Sequence, residues 1–190
     1  MAKRKHQIYQ LKVRLQGSKP PIWRRILVAS DISLSGLHEV LQLTMGWTDS
    51  HMHQFECKGQ VFGSPSNGFG CLPVADERST RLDRVLRGEK DALRYEYDFG
   101  DSWDHQITLE KILPYNHRMQ LPVCIKAKGA CPPEDVGGIW GYFAILEVLR
   151  DPRHPDHREY GDLYGRDLDP DAFDIDAANA LLHTCCGKAA

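Results

Sequence analysis

The densest group of reactive side chains in this 190-residue sequence is YEYDFGDSWDHQITLEK, residues 95–111. Asp98, Asp101 and His105 fall within eight positions there, beside Trp103. A carboxylate next to an imidazole is the unit of general acid–base pairs and of the outer shell of metal sites. His51 and His53 lie two apart, so on a strand they share a face and offer half of a metal site. CPPED (131–135) supplies Cys131, Glu134 and Asp135. Cysteine, histidine and carboxylates together can hold zinc or another divalent ion. Each group also has a plainer use. Asp98 or Asp101 can cap turn amides, and the two histidines can bond their neighbours at a strand end. Glu134 and Asp135 can face the positive end of the helix that follows. His38, beside Leu37, reads as a packed and satisfied histidine. No Cys-x-x-Cys pair occurs among the six cysteines, so no spacing signature assigns a metal, and no cofactor is expected from spacing. Adjacent Cys185 and Cys186 make a poor zinc clamp.

These groups need elements to carry them. Residues 8–15 alternate, with Tyr9, Leu11, Val13 and Leu15 on one face, and predict a strand with one wet side. GSKPP (17–21) breaks it, and 22–28 predict its hairpin partner. Ser33 is placed to cap a helix over 34–45, where Leu34, Leu37, Val40, Leu41 and Thr44 recur at helical spacing before Gly46. Residues 52–57 alternate and turn at Gly59 into QVFG. Residues 63–76 read as loop, and 80–87 as a short helix. Strands over 92–99 and 103–113 flank the Gly100-Asp101 turn, with Tyr95, Tyr97 and Phe99 on one face and Trp103, His105, Ile107 and Leu109 on one face of the next strand. Residues 114–136, with four prolines, read as a long irregular connection. An apolar helix is expected over 137–151, a helical turn near 152–161, and a last helix after Asp174 or Asp176. Strands joined by short turns imply antiparallel pairing. The fold class is therefore α+β: a single domain with a mainly antiparallel sheet and three to four helices. Residues 1–6 form a basic tail expected to be flexible, 7–184 the domain and 185–190 a C-terminal tail.

Bulk composition narrows the function. Hydrophobic residues make up 42% and charged residues 26%, a globular balance. The formal net charge is −2, so nothing global draws the chain to nucleic acid or anionic lipid. No stretch approaches the ~20 apolar residues of a membrane span, and no secretory leader is visible. A cytoplasmic protein with free thiols is the expectation.

Five phrases together resemble the plasmid pRiA4b ORF-3-like family: PPIWRRILV (20–28), LSGLHEVLQLTMGWTDSHMHQF (34–55), YEYDFGDSWDHQITLE (95–110), CPPEDVGGIWGY (131–142) and DPDAFDIDAANALL (169–182). The resemblance runs from about residue 7 to 183 and implies a compact α+β domain without an established activity. Val136 stands where many relatives have cysteine. Some members carry transposon-passenger or resolvase-like labels. A serine recombinase needs a cationic surface for phosphates, and here Arg78 and Ser79 of ERSTR (77–81) stand mid-chain with no basic tail behind them. The reading is a binding or adaptor module, without a complete catalytic signature, serving a mobile element or a DNA-linked partner through an unidentified protein or small molecule. The second reading is a small metal-assisted hydrolase using Asp98, Asp101, His105 and Glu134. Both place a pocket among Trp47, His51, His53, Asp98, Asp101, Trp103, His105, Cys131, Glu134 and Asp135, where the 95–111 hairpin, the 47–55 segment and the 129–138 loop meet.

Overall fold

The computed structural model describes residues 7–64, 74–165 and 168–186. The basic tail at 1–6, Cys71 with most of the 63–76 loop, and residues 187–190 lie outside the described residues. The elements follow in the order β1 (Gln7–Leu15), β2 (Trp23–Ala29), α1 (Leu34–Met45), β3 (His53–Cys57), β4 (Gln60–Gly63), β5 (Val74–Asp76), α2 (Leu82–Val85), β6 (Ala92–Tyr97), β7 (Trp103–Pro114), β8 (Val123–Lys128), α3 (Gly138–Arg150), α4 (His157–Tyr164) and α5 (Ile175–Cys185). The strands form one sheet in the order β5-β4-β3-β6-β7-β1-β2-β8. Every pairing is antiparallel except β4 with β5. The α+β class therefore holds, with five helices among the described residues rather than three or four.

Cross-strand partners share a face, so the register shows which side chains line up. Phe55, Tyr95, His105 and Leu15 form one row, and His53, Tyr97 and Trp103 the next. Leu93, Ile107, Val13 and Arg24 form a third. This face is buried, and helix α1 supplies Leu34, Leu37, Val40 and Leu41 to the same core. Burial of each such aliphatic side chain contributes roughly 1.5–3 kcal/mol. The Ser33 side chain accepts from the Gly36 N–H and starts α1, while Gly46, at φ +90°, ends it in the left-handed conformation that glycine adopts without strain.

Two elements depart from expectation. The connection at 114–136 contains β8, an edge strand with only Cys124 fully buried, which is why no alternation marks it. Its outer edge is met by α5: Asn179 accepts from the Cys124 N–H at 2.7 Å and donates to the Cys124 carbonyl at 2.9 Å. β5 is three residues long, too short for a periodic signal.

Arg24 lies in the core with no exposure. Its guanidinium donates to the carbonyls of Thr44 (2.8 Å), Trp23 (3.1 Å), Lys128 (3.1 Å) and Gly129 (2.9 Å), and stacks over the Phe173 ring. Burial holds its pKa below the usual arginine value.

Candidate functional site

The β6–β7 turn and the loop before α3 are joined by backbone chemistry. Asp98, at φ +57°, accepts from the Gly100 N–H at 2.9 Å and so folds the turn. Asp101 reaches across and accepts from the amides of Val136 (3.0 Å) and Gly137 (3.2 Å). Gly137 is the residue that caps α3, so the acid at this helix start comes from the hairpin and not from the loop itself. Gly138 (φ +67°) packs so closely that an added Cβ would stand 2.2 Å from the Asp101 carbonyl oxygen. Glu134 turns the other way. It accepts from the Thr48 N–H (3.1 Å), the Thr48 hydroxyl (2.7 Å) and the Tyr97 hydroxyl (2.5 Å). Burial and then this bond push the Tyr97 phenol up, so it keeps its proton. Trp47 donates to the Pro132 carbonyl at 3.0 Å and stacks on Tyr97 at 5.0 Å between ring centres.

The 95–111 hairpin, the 47–55 segment and the 129–138 loop thus meet at one junction, and most of the polar groups singled out above are engaged in holding it. Trp103 and His105 do not line its mouth. Both belong to the buried face of the sheet. His105 Nδ1 bonds the Trp103 carbonyl at 2.9 Å, and burial pulls its pKa down to about 4, so the ring is neutral. Alternation identified their shared face correctly, but that face is the core side. Cys131 is only partly exposed, and burial pushes its thiol up, away from the thiolate a metal or an electrophile requires. His51 does face carboxylates: its Nδ1 lies 3.7 Å from Asp98 and its Nε2 3.2 Å from Asp135.

Beside the junction opens a cleft of about 420 Å³, lined in part by His38, Asp49, His51, His53 and Glu77. Helix α1 presents His38 and Gln42 on one face, four residues apart, and both reach the Tyr95 hydroxyl, at 2.8 and 3.0 Å. Gln42 also accepts from the Asp49 N–H at 3.0 Å, which sets the connection between α1 and β3. Asp49 then stands 2.8 Å from His38 Nε2. His53, the first residue of β3, stacks face to face on His38, with ring centres 3.4 Å apart and planes 4° from parallel. Its Nε2 lies 2.9 Å from the buried carboxylate of Glu77. Burial first, and His53 second, hold the His38 pKa below its ordinary value.

Sequence reasoning placed His53 here but missed His38, Asp49 and Glu77. His38 is packed and satisfied, as read, but its carboxylate partner comes from a turn eleven residues on, and Glu77 arrives from the far side of β5. No spacing rule links them. The one available signal was a buried helix face carrying two polar residues, His38 and Gln42.

Comparison with known proteins fits this frame. A solved structure of a protein of unknown function, MM3350 from Methanosarcina mazei Go1, superposes with a TM-score of 0.82 at 35% identity, covering 90% of this chain and 97% of that one. The uncharacterized protein y4hQ of Sinorhizobium fredii (strain NBRC 101917 / NGR234) is 39% identical over 182 residues, covering 95% of this chain and 93% of its own length. The family model of the plasmid pRiA4b ORF-3-like proteins matches residues 7–177, and the chain belongs to that family.

Proposed function

We propose that this protein is a binding module that docks a protein partner on the face formed by the β6–β7 turn and the first turn of α3. The observation that carries this reading is Trp140, 82% exposed on α3, in a segment that Asp101 ties to the turn bearing the exposed Phe99. Large exposed aromatics on a rigid support are costly to leave in water and are the residues that anchor interfaces. Residues 7–184 form the binding unit. The family resemblance adds a partner linked to a mobile element or to DNA, reached through protein contact, since the net charge of −2 gives no global pull toward phosphates.

A metal-assisted hydrolase built on Asp98, Asp101, His105 and Glu134 has less support. His105 is enclosed, Asp101 is engaged with amides, and Glu134 holds Thr48 and Tyr97. The test places a photo-crosslinking residue at position 99 and compares wild type with Trp140→Asp in cells of the source organism. A specific cross-linked protein that disappears with Trp140→Asp, at unchanged melting temperature, supports docking. The same cross-links in both, or none in either, rule it out.

A further inference from the structure

The stacked pair His38–His53 and its two carboxylates form a group that the docking reading does not use. The ligand atoms of His38, Asp49 and His53 all lie within 4.8 Å of one another. Glu77 joins them through His53 Nε2 at 2.9 Å. We infer that His38, Asp49, His53 and Glu77 form a binding site for a divalent transition-metal ion, with the cleft above it giving the ion access to solvent.

Three observations point the same way. The first is the donor set: two imidazole nitrogens and two carboxylate oxygens suit Zn²⁺ and its first-row neighbours rather than Ca²⁺ or Mg²⁺. The second is charge. Glu77 is only 4% exposed, and a buried carboxylate is stable only where opposite charge or hydrogen bonds offset its lost hydration. Asp49 adds a second carboxylate on the partner ring, and a divalent cation would balance the two charges. The third is support. His38 is oriented by the Tyr95 hydroxyl on its other ring nitrogen, and Tyr95 in turn by Gln42, the outer-shell arrangement that fixes a metal-binding imidazole. Gln42 also positions the backbone of Asp49, so one side chain sets two of the four ligands. Donor atoms around a tetrahedral ion with bonds of about 2.0–2.1 Å sit roughly 3.3 Å apart. The two rings lie in nearly parallel planes with centres 3.4 Å apart, so binding one ion also requires an imidazole to rotate out of the stack as the ion replaces the hydrogen bonds.

His51, Asp98 and Asp135 make a second, neighbouring group. Each group has one exposed carboxylate, and this one has the longer contacts, 3.7 and 3.2 Å against 2.8 and 2.9 Å.

The test uses the full chain, stripped with chelator and titrated with Zn²⁺ by calorimetry and with Co²⁺ by visible absorption. The expected result is about one equivalent bound, with d–d bands of a low-coordinate nitrogen–oxygen site. Glu77→Gln keeps the size of the side chain and removes only the charge, and it should weaken binding by about tenfold or more. His53→Ala should abolish the Co²⁺ bands. His51→Ala should leave both readouts unchanged. The inference is overturned if the stripped protein takes up no Zn²⁺, or if Glu77→Gln binds as wild type does. Loss of binding with His51→Ala but not with Glu77→Gln would assign the ion to the neighbouring group instead. If His53→Ala does not fold, Glu77→Gln decides.

Discussion

The turn–loop junction and the histidine cleft share one stretch of chain, residues 47–53, and use it in opposite ways. On the junction side, Trp47 and Thr48 bond Pro132 and Glu134, and Asp98, Asp101 and Glu134 each meet a backbone amide or a hydroxyl. On the cleft side, Asp49 and His53 contact other titratable side chains directly, at the wall of the cleft. Polar density is similar in both places. What separates them is the partner: a carboxylate bonded to amides does structural work, whereas a carboxylate bonded to an imidazole keeps its chemistry available. Three backbone positions emphasise how tightly the acids are held. Asp49, Asp98 and Asp135 all have φ between +56° and +58°, a left-handed conformation that aspartate tolerates better than most side chains.

The sharpest way to break this contrast is at Gly138. Gly138→Ala sets a methyl group against the Asp101 carbonyl at a positive φ, and should cost roughly 2–4 kcal/mol of stability by denaturant unfolding. A loss within experimental error would mean that the junction is not a close-packed support.

His105, in the core behind the junction, gives the next largest effect, read as pH dependence. Its folded pKa of about 4 lies below the ordinary 6.5, so the unfolded chain binds the proton more readily. The corresponding stability is complete above pH 6.5 and declines as pH falls toward about 4, by on the order of 3 kcal/mol at the limit. His105→Phe should flatten the unfolding free energy over that range. An unchanged slope would show that another group controls it.

The smallest effect sharpens the contrast most. Asp101→Asn keeps the shape of the side chain but weakens the charge-assisted cap on α3, and should cost about 1 kcal/mol. It should leave the Zn²⁺ affinity of the cleft untouched, because Asp101 has no bond to that group among the described residues. Coupling between the two would merge the regions into a single site.

Much of the fold was legible before any coordinates. Alternation in 8–15 and 92–99 and the Ser33–Gly46 punctuation of α1 are local signals, and the elements form there, although β6 stops at Tyr97 and leaves Phe99 exposed in the turn. The convergence of Asp101 and Glu134 on one junction was legible only as shared polar density. β8 was hidden because an edge strand buries too little to impose a period. His105 was misplaced because a period of two tells which residues share a face and not which face meets the core. The cleft was hidden most deeply. Its four groups come from a helix, a turn, a strand start and a loop, joined only by tertiary packing.

The buried guanidinium of Arg24 bears on how the molecule comes apart. Its acceptors include the end of α1 at Thr44 and the backbone at Lys128 and Gly129, more than a hundred residues along the chain. If the segment after β8 peeled away while the rest stayed folded, a charged group would be stranded in an apolar interior at a cost of several kcal/mol. Partial opening along that seam is therefore suppressed, and β2 and the end of β8 unfold together. A protease that nicks the chain between β7 and β8 should leave the two fragments associated under native conditions, and neither fragment should persist as a folded species alone.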